Sequence, residues 1–206
     1  MEKRPFLIAV SGSHCVGKTT LVSQLRDSFS ENGFSVAVIE EIARRFKKEE
    51  LGTFHAQKKM VEIFEEKLRN FLNSEVDVIL ADRCQFDYAI YTLYYALTRD
   101  WSEEEIREAE ALIPFWMERS SIFDVLIYAN NCEKLCIVDD GFRHTDWRMR
   151  KSVDLLAKSH LKGLRAKGMN IFVWDVSMAS TQVFQKMLEL SKKRWSDESL
   201  VKRRVC

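Results

Sequence analysis

The chain has 206 residues, 46% hydrophobic and 31% charged, with 32 basic against 31 acidic residues and a formal net charge of +1. That length suits one domain with room for an insertion, and the composition is that of an ordinary globular enzyme. Two prolines and seven glycines exclude a collagenous or Pro/Gly-rich chain, and so even a charge balance gives no reason to expect a nucleic-acid or membrane-surface protein.

Phe6–Val10 is an apolar run halted by Ser11-Gly12 and reads as a buried strand. It is too short, and lacks the cleavage site, for a secretory signal. Lys18 to Phe29 reads as a helix closed by the turn-like Glu31-Asn32-Gly33, and Ser35–Ile39 as a second strand ending in Glu40-Glu41. From Thr53 to Leu72 the residues Phe54, Met60, Val61, Phe64, Leu68 and Phe71 recur at helical spacing. Val76–Ala81 is a third strand stopped by Asp82-Arg83, with helices Phe86–Thr98 and Glu103–Glu118 after it. Ser102 and Glu105 form a capping-box pattern at the start of the second of these.

Phe123–Ala129 is the fourth strand, followed by a polar, irregular stretch from Asn130 to about Arg148. A helix from about Arg150 to Ala166, a fifth strand Met169–Val176 and a helix from about Thr181 to Lys193 complete the series. Strands alternating with helices imply parallel strands joined by crossovers, an α/β chain folded as a three-layer α/β/α sandwich. The domain is expected over residues 1–194, with a basic tail, 195–206, that carries Lys202-Arg203-Arg204 and reads as a frayed or loosely docked terminus. The uncharged run Tyr88–Thr98 spans 11 residues, short of the roughly 18 of a membrane helix.

Five cysteines, Cys15, Cys84, Cys132, Cys136 and Cys206, are an odd number without framework spacing, which points to reduced thiols in the cytoplasm. Cys132 and Cys136 with His144 match no usual zinc spacing and lack a fourth ligand.

The chemistry is concentrated in Gly12-Ser13-His14-Cys15-Val16-Gly17-Lys18-Thr19, which fits G-x-x-x-x-G-K-[ST] between a predicted strand and a predicted helix. Glycines let the backbone wrap so that successive N–H groups face phosphates. Lys18 adds a charge to the β- and γ-phosphates, and the Thr19 hydroxyl suits Mg²⁺. The neighbouring Thr20 and the helix N-terminus extend the same nucleotide-binding surface. The ligands expected are therefore ATP and Mg²⁺. Asp82, at the end of an apolar strand, is placed to stand beside the metal, or else to cap the next helix. The residue after it is Arg83, not the water-activating glutamate of many motors, and no N-K-x-D or T-K-x-D guanine reader occurs. Both absences favour transfer to a bound acceptor.

The phosphate loop together with Glu41-Ile42-Ala43-Arg44, Asp82-Arg83 and Asp139-Asp140-Gly141-Phe142-Arg143 resembles the small kinase-like P-loop ATPases related to the ribosylnicotinamide kinase domain of NadR-type proteins. More distantly the chain is similar to deoxynucleoside and thymidylate kinases. The resemblance implies a five-stranded sheet of order 2-3-1-4-5 with a lid over about residues 130–150. It implies that Glu41 faces the acceptor as base or hydroxyl orienter, and that Arg44 holds an anionic part of it. The competing reading of this segment is a surface ladder of Glu40–Arg44 and Glu41–Arg45 pairs.

Arg83 would meet the acceptor or the moving phosphate, or form a buried ion pair, and Gln57 would sit over the acceptor. Arg143, Arg148 and Arg150 would close on the nucleotide as lid arginines, or pair with Asp139 and Asp140 in a solvated loop. Phe86, Tyr88, Tyr91, Tyr94 and Tyr95 form an aromatic helix that is either core or a stacking wall for a base or pyridine ring.

The expected activity is Mg·ATP-dependent phosphoryl transfer to a hydroxyl of a nucleoside-like small molecule. The alternative is a nucleotide-binding switch or slow ATPase acting through a protein partner. A pocket between Glu41, Arg83 and the aromatic helix distinguishes the two.

Overall fold

The computed structural model describes residues 4–130 and 146–204, with side chains as far as 196. Arg143, with Asp139, Asp140, Cys132, Cys136 and His144, lies outside the described residues. In chain order the elements are β1 (Phe6–Ser11), α1 (Lys18–Glu31), β2 (Val36–Ile39), a 3-10 turn (Ile42–Arg45), α2 (Phe54–Leu72), β3 (Val78–Asp82) and α3 (Gln85–Thr98). There follow α4 (Glu103–Arg119), a second 3-10 turn (Ser120–Ile122), β4 (Val125–Ala129), α5 (Trp147–Ala166), β5 (Ile171–Trp174) and α6 (Ser180–Arg204).

The strands form one parallel sheet in the order β2-β3-β1-β4-β5, as expected. β1 lies at its centre, with Val10 in register with Asp82 of β3 and Ser11 with Tyr128 of β4. Alternation along β1 divides its side chains between two layers. Phe6, Ile8 and Val10 pack with Leu21, Leu25 and Phe29 of α1 and Val183 and Met187 of α6. Leu7 and Ala9 face the other layer, where Phe64 and Leu68 of α2, Phe86 and Ile90 of α3, Trp116 of α4 and Val153 of α5 close the core. The strands are covered on both faces, which accounts for their near-continuous apolar sequence.

Local chemistry sets the helix ends. Thr53 accepts the Ala56 N–H at 3.2 Å to cap α2, and Ser102 and Glu105 exchange capping-box bonds at α4. α5 begins earlier than its periodicity suggested, because Asp146 accepts the Arg148 N–H at 2.8 Å as N-cap. Arg148 and Arg150 therefore stand on the first turn of a helix and not in a loop; Arg148 is exposed and Arg150 buried.

At the other end, α6 runs through Lys192, Lys193 and Arg194 to Arg204, where a stop near Lys193 and a frayed tail were expected. Trp195 supplies the anchor. It stacks on Phe34 with ring centroids 5.5 Å apart and meets Phe6 edge-on at 6.3 Å. Among the described residues no helix is long and apolar enough to cross a membrane.

Candidate active site

β1 ends at the middle of the sheet and the chain turns sharply over its tip. Gly12 has φ +140°, and a Cβ there would lie 3.0 Å from the Ala129 carbonyl oxygen and 3.3 Å from its Cβ. The loop thus passes against the end of β4 with no room for a side chain. Cys15 and Gly17 are also left-handed, at φ 57° and 85°, and Gly17 forms the N-cap of α1. This winding makes Lys18 the first helical residue. Its side chain is buried and its ammonium donates to the Ser13 carbonyl. Burial, reinforced by the nearby Arg83 charge, pulls the Lys18 ammonium from 10.5 down to about 8, against the opposing pull of Asp82, Glu41 and Asp87.

The Thr19 hydroxyl donates to Asp82 Oδ2 at 2.5 Å, so the two expected metal residues lie side by side. Asp82 Oδ1 and the Ser13 hydroxyl are buried without a hydrogen-bond partner, a cost that a ligand would relieve. A hydroxyl and a carboxylate with spare oxygen lone pairs suit Mg²⁺, a hard cation that keeps much of its shell in water and phosphate oxygens. Among the described residues no three His, Cys, Asp or Glu side chains are grouped to hold a metal alone.

Beside the loop lies a buried charge network. Arg83 adopts φ +82°, unusual for a side chain of this size. From there its guanidinium donates through Nε to Glu41 Oε1 at 2.7 Å, and through one terminal nitrogen to the Gly12 carbonyl at 3.2 Å and Asp87 Oδ1 at 3.4 Å. It also lies 5.0 Å from the Tyr91 ring centroid. Burial opposes the Arg83 charge, but Tyr91, Glu41, Asp87 and Asp82 more than compensate and hold its pKa well above the ordinary value.

Asp87 ties the network to the loop. It accepts from the Ser11 hydroxyl at 3.0 Å, the Gly12 N–H at 3.2 Å and the Cys84 N–H at 3.0 Å. Burial nevertheless raises its pKa, ahead of the opposing effects of Arg83 and Lys18.

The Glu40-Glu41 segment forms no i,i+4 surface ladder. The chain takes a 3-10 turn after Glu41, which is buried, and Arg44 Nε reaches Glu41 Oε2 three residues back at 3.2 Å. Arg83 and Arg44 thereby hold the two carboxylate oxygens in place.

Glu41, Arg83 and the aromatic helix enclose a pocket. Tyr88, Tyr91 and Tyr95 of α3 form one wall, Leu51, Gln57 and Met60 another, and His14 and Met149 close it. It is a narrow slot with a cavity volume of about 60 Å³. The Tyr88 hydroxyl is buried with no hydrogen-bond partner, and Gln57 is held by the Leu51 carbonyl. Phe86 belongs to the core instead. The aromatic helix is thus both core and pocket wall.

The structure brings Gly12, Ser13, Lys18, Thr19, Asp82, Arg83 and Glu41 into one region. Val16 is fully buried beneath the loop, Cys15 half-buried and Thr20 exposed on α1. Leu51 and Met149 of the pocket, and Asp87 beside it, escaped the sequence reading. Asp87 sits at the third position of α3 in the pattern Cys84-x-x-Asp87, a capping signal that was there to be read. Leu51 and Met149 carry no such signal, and only the fold brings them to the pocket; His14, expected on the nucleotide as part of the phosphate loop, also lines it.

Comparison with known proteins agrees with this fold. The NadR protein in complex with NR superposes with a TM-score of 0.66 at 17% identity, over 91% of this chain and 51% of that one, so the chain spans about half of NadR's length. Thymidylate kinase from Candida albicans gives 0.59 at 16% identity over 93% and 92% of the two chains. The deoxyadenosine kinase from M. mycoides with products dcmp and dcdp gives 0.63 at 15% over 89% and 97%. At these identities the likeness is one of fold. None of the curated proteins matches the sequence. A family model described as AAA domain matches residues 7–177, from β1 past the end of β5. With the phosphate loop and the strand order, that match makes the chain a member of this AAA domain family, and its fold is that of the P-loop kinases.

Proposed function

We propose that the protein transfers the γ-phosphoryl group of Mg·ATP to a hydroxyl of a small molecule, a nucleoside or ribosyl compound. The observation that carries this reading is the slot between Glu41, Arg83 and the tyrosines of α3, which shares His14 with the phosphate loop. An aromatic-walled space beside the phosphates suits a flat ring awaiting transfer, and a nucleotide switch has no use for one. The NadR complex with NR and the nucleotide-bound deoxyadenosine kinase lend support by analogy of fold.

In this reading the amides of Gly12–Thr19 and the N-terminus of α1 cradle the triphosphate. Lys18, whose pKa burial lowers to about 8 in the free protein, is held in its charged form by the incoming phosphates. Thr19 and Asp82 would hold Mg²⁺, which supplies charge neutralisation on the phosphate oxygens. Phosphoryl transfer demands positioning and charge stabilisation above all. Glu41, fixed by two guanidinium bonds, orients the acceptor hydroxyl and receives its proton. Arg83 carries positive charge into the wall between acceptor and loop, and Arg143 and Arg148 act as closing arginines.

The test is ADP formation by the purified protein with Mg·ATP against a panel of nucleosides, nucleotides and ribosyl metabolites, with Lys18→Ala as the blank. ADP that appears with one acceptor, together with its phosphorylated product, is the expected result. ADP released at one slow rate with every acceptor and with none would refute the kinase reading in favour of the switch.

A further inference from the structure

A second, roomier cleft opens on the other side of Glu41. Its walls are the outer side of α1, the end of β2, the 3-10 turn and Lys67 of α2, and it reaches inward to Thr19 and Asp82. Its volume is about 380 Å³, against about 60 Å³ for the aromatic slot. Val22, Val38 and Ile42 give it an apolar floor.

Four basic side chains from three elements meet there: Arg26, Arg44, Arg45 and Lys67. The acids facing them are Glu40, Glu41 and Asp82. Glu41 is already engaged by Arg83 and Arg44, and Arg26 is paired with Asp27 at 2.7 Å. Arg45 and Lys67 have no ion-pair partner among the described residues. The tight 3-10 turn, closed by the Phe46 N–H on the Ala43 carbonyl at 3.1 Å and anchored by buried Ile42, presents Arg44 and Arg45 consecutively on this side. Guanidinium forks and a flexible ammonium around one space are the chemistry that recognises phosphate.

We propose that this cleft binds a phosphate group distinct from those on the phosphate loop, one that belongs to the acceptor or to a separate phosphorylated regulator. The proposal rests on the kinase reading for the nucleotide beside it. A triphosphate ending at Lys18 and Thr19 and a second anion next to Asp82 would repel each other. Arg45 and Lys67, which no acid among the described residues engages, offset that repulsion.

The experiment is a calorimetric titration of inorganic pyrophosphate into the full chain already saturated with a non-hydrolysable ATP analogue and Mg²⁺. It compares the wild type with the double variant Arg45→Ala/Lys67→Ala, whose thermal unfolding curve verifies an intact fold. The wild type should bind pyrophosphate and the double variant should bind it about tenfold more weakly or worse, with the same affinity for the ATP analogue. Arg45→Glu should weaken it further. A flat wild-type titration, or equal affinity in the double variant, overturns the proposal.

If the ATP analogue itself fails to bind, the kinase reading fails instead. The same pyrophosphate comparison on a nucleotide-free Lys18→Ala background then still decides the cleft. Steady-state kinetics identifies the source of the anion. A KM raised in the double variant only for phosphorylated acceptors makes the phosphate part of the acceptor. A rate that responds to free pyrophosphate in the wild type, but not in the variant, makes it a regulator's.

Discussion

Replacing Lys18 with methionine should make the nucleotide-free protein more stable while abolishing nucleotide binding. Lys18 is 5% exposed, and its pKa is lowered from 10.5 to about 8 by burial and by Arg83. At about 1.4 kcal/mol per pH unit, that displacement sets roughly 3 kcal/mol against the folded state while Lys18 is charged. Methionine keeps much of the apolar stem, and loss of the bond to the Ser13 carbonyl returns about 1 kcal/mol. The net gain of about 2 kcal/mol corresponds to a rise of roughly 4–8 °C in Tm for a chain of this size.

The pH dependence gives a second handle. With the folded value below the unfolded one, the unfolded chain binds more protons between about 8 and 10.5, so wild-type stability rises with pH across that window. The methionine variant has no such titration. The gap between the two proteins should be near its full size at pH 7 and close to zero at about pH 10, measured by chemical denaturation without nucleotide. A variant less stable than wild type at pH 7, or a gap that does not narrow as pH rises, would refute the reasoning.

Gly12→Ala forces a Cβ to 3.0 Å from the Ala129 carbonyl at φ +140°; it should cost about 2–3 kcal/mol, read as a Tm lowered by several degrees. Asp87→Asn leaves Arg83 with one buried carboxylate partner in place of two and should cost about 3 kcal/mol in denaturant unfolding; unchanged stability would show that Asp87 does not support the loop. Glu41→Gln should lower kcat on the order of 100-fold and leave the Kd of an ATP analogue nearly unchanged, so an equal loss in both would remove its acceptor role. Arg143→Ala should lower kcat far more than it weakens ATP binding, and a normal kcat would dismiss the closing-arginine role.

The five strands were legible because each is an apolar run stopped by polar or turn residues, while their order came from the resemblance to P-loop kinases. The phosphate loop, Thr19 and Asp82 were legible because their spacing is a local property of the chain. Glu41 shows where local reading ends. Its neighbours suggested α-helical pairs at i,i+4, yet the segment winds as a 3-10 turn and its partner Arg83 follows β3, the strand beside β2 in the sheet but remote from it in the chain. The end of α6 was missed for a related reason. Lys192, Lys193 and Arg194 look like a helix stop, and what carries the helix onward, Trp195 against Phe34 and Phe6, is a contact between opposite ends of the sequence. Leu51 and Met149 reach the slot only through tertiary packing, which no periodicity encodes.

The central position of β1 bears on how the protein is made. β1 emerges first, but its two neighbours are β3 and β4, and neither is β2, the next strand in the chain. Gly12 finds its packing surface only when Ala129 is in place. Until the chain has been synthesised past that point, the loop-bearing strand has an unpaired edge and an apolar surface on both sides. Non-local parallel pairing of this kind makes for slow, late assembly. The phosphate-binding end of the molecule is therefore not completed until β4 has been made, long after its own residues. A chain cut short before Ala129 would carry the whole motif in its sequence and none of its shape.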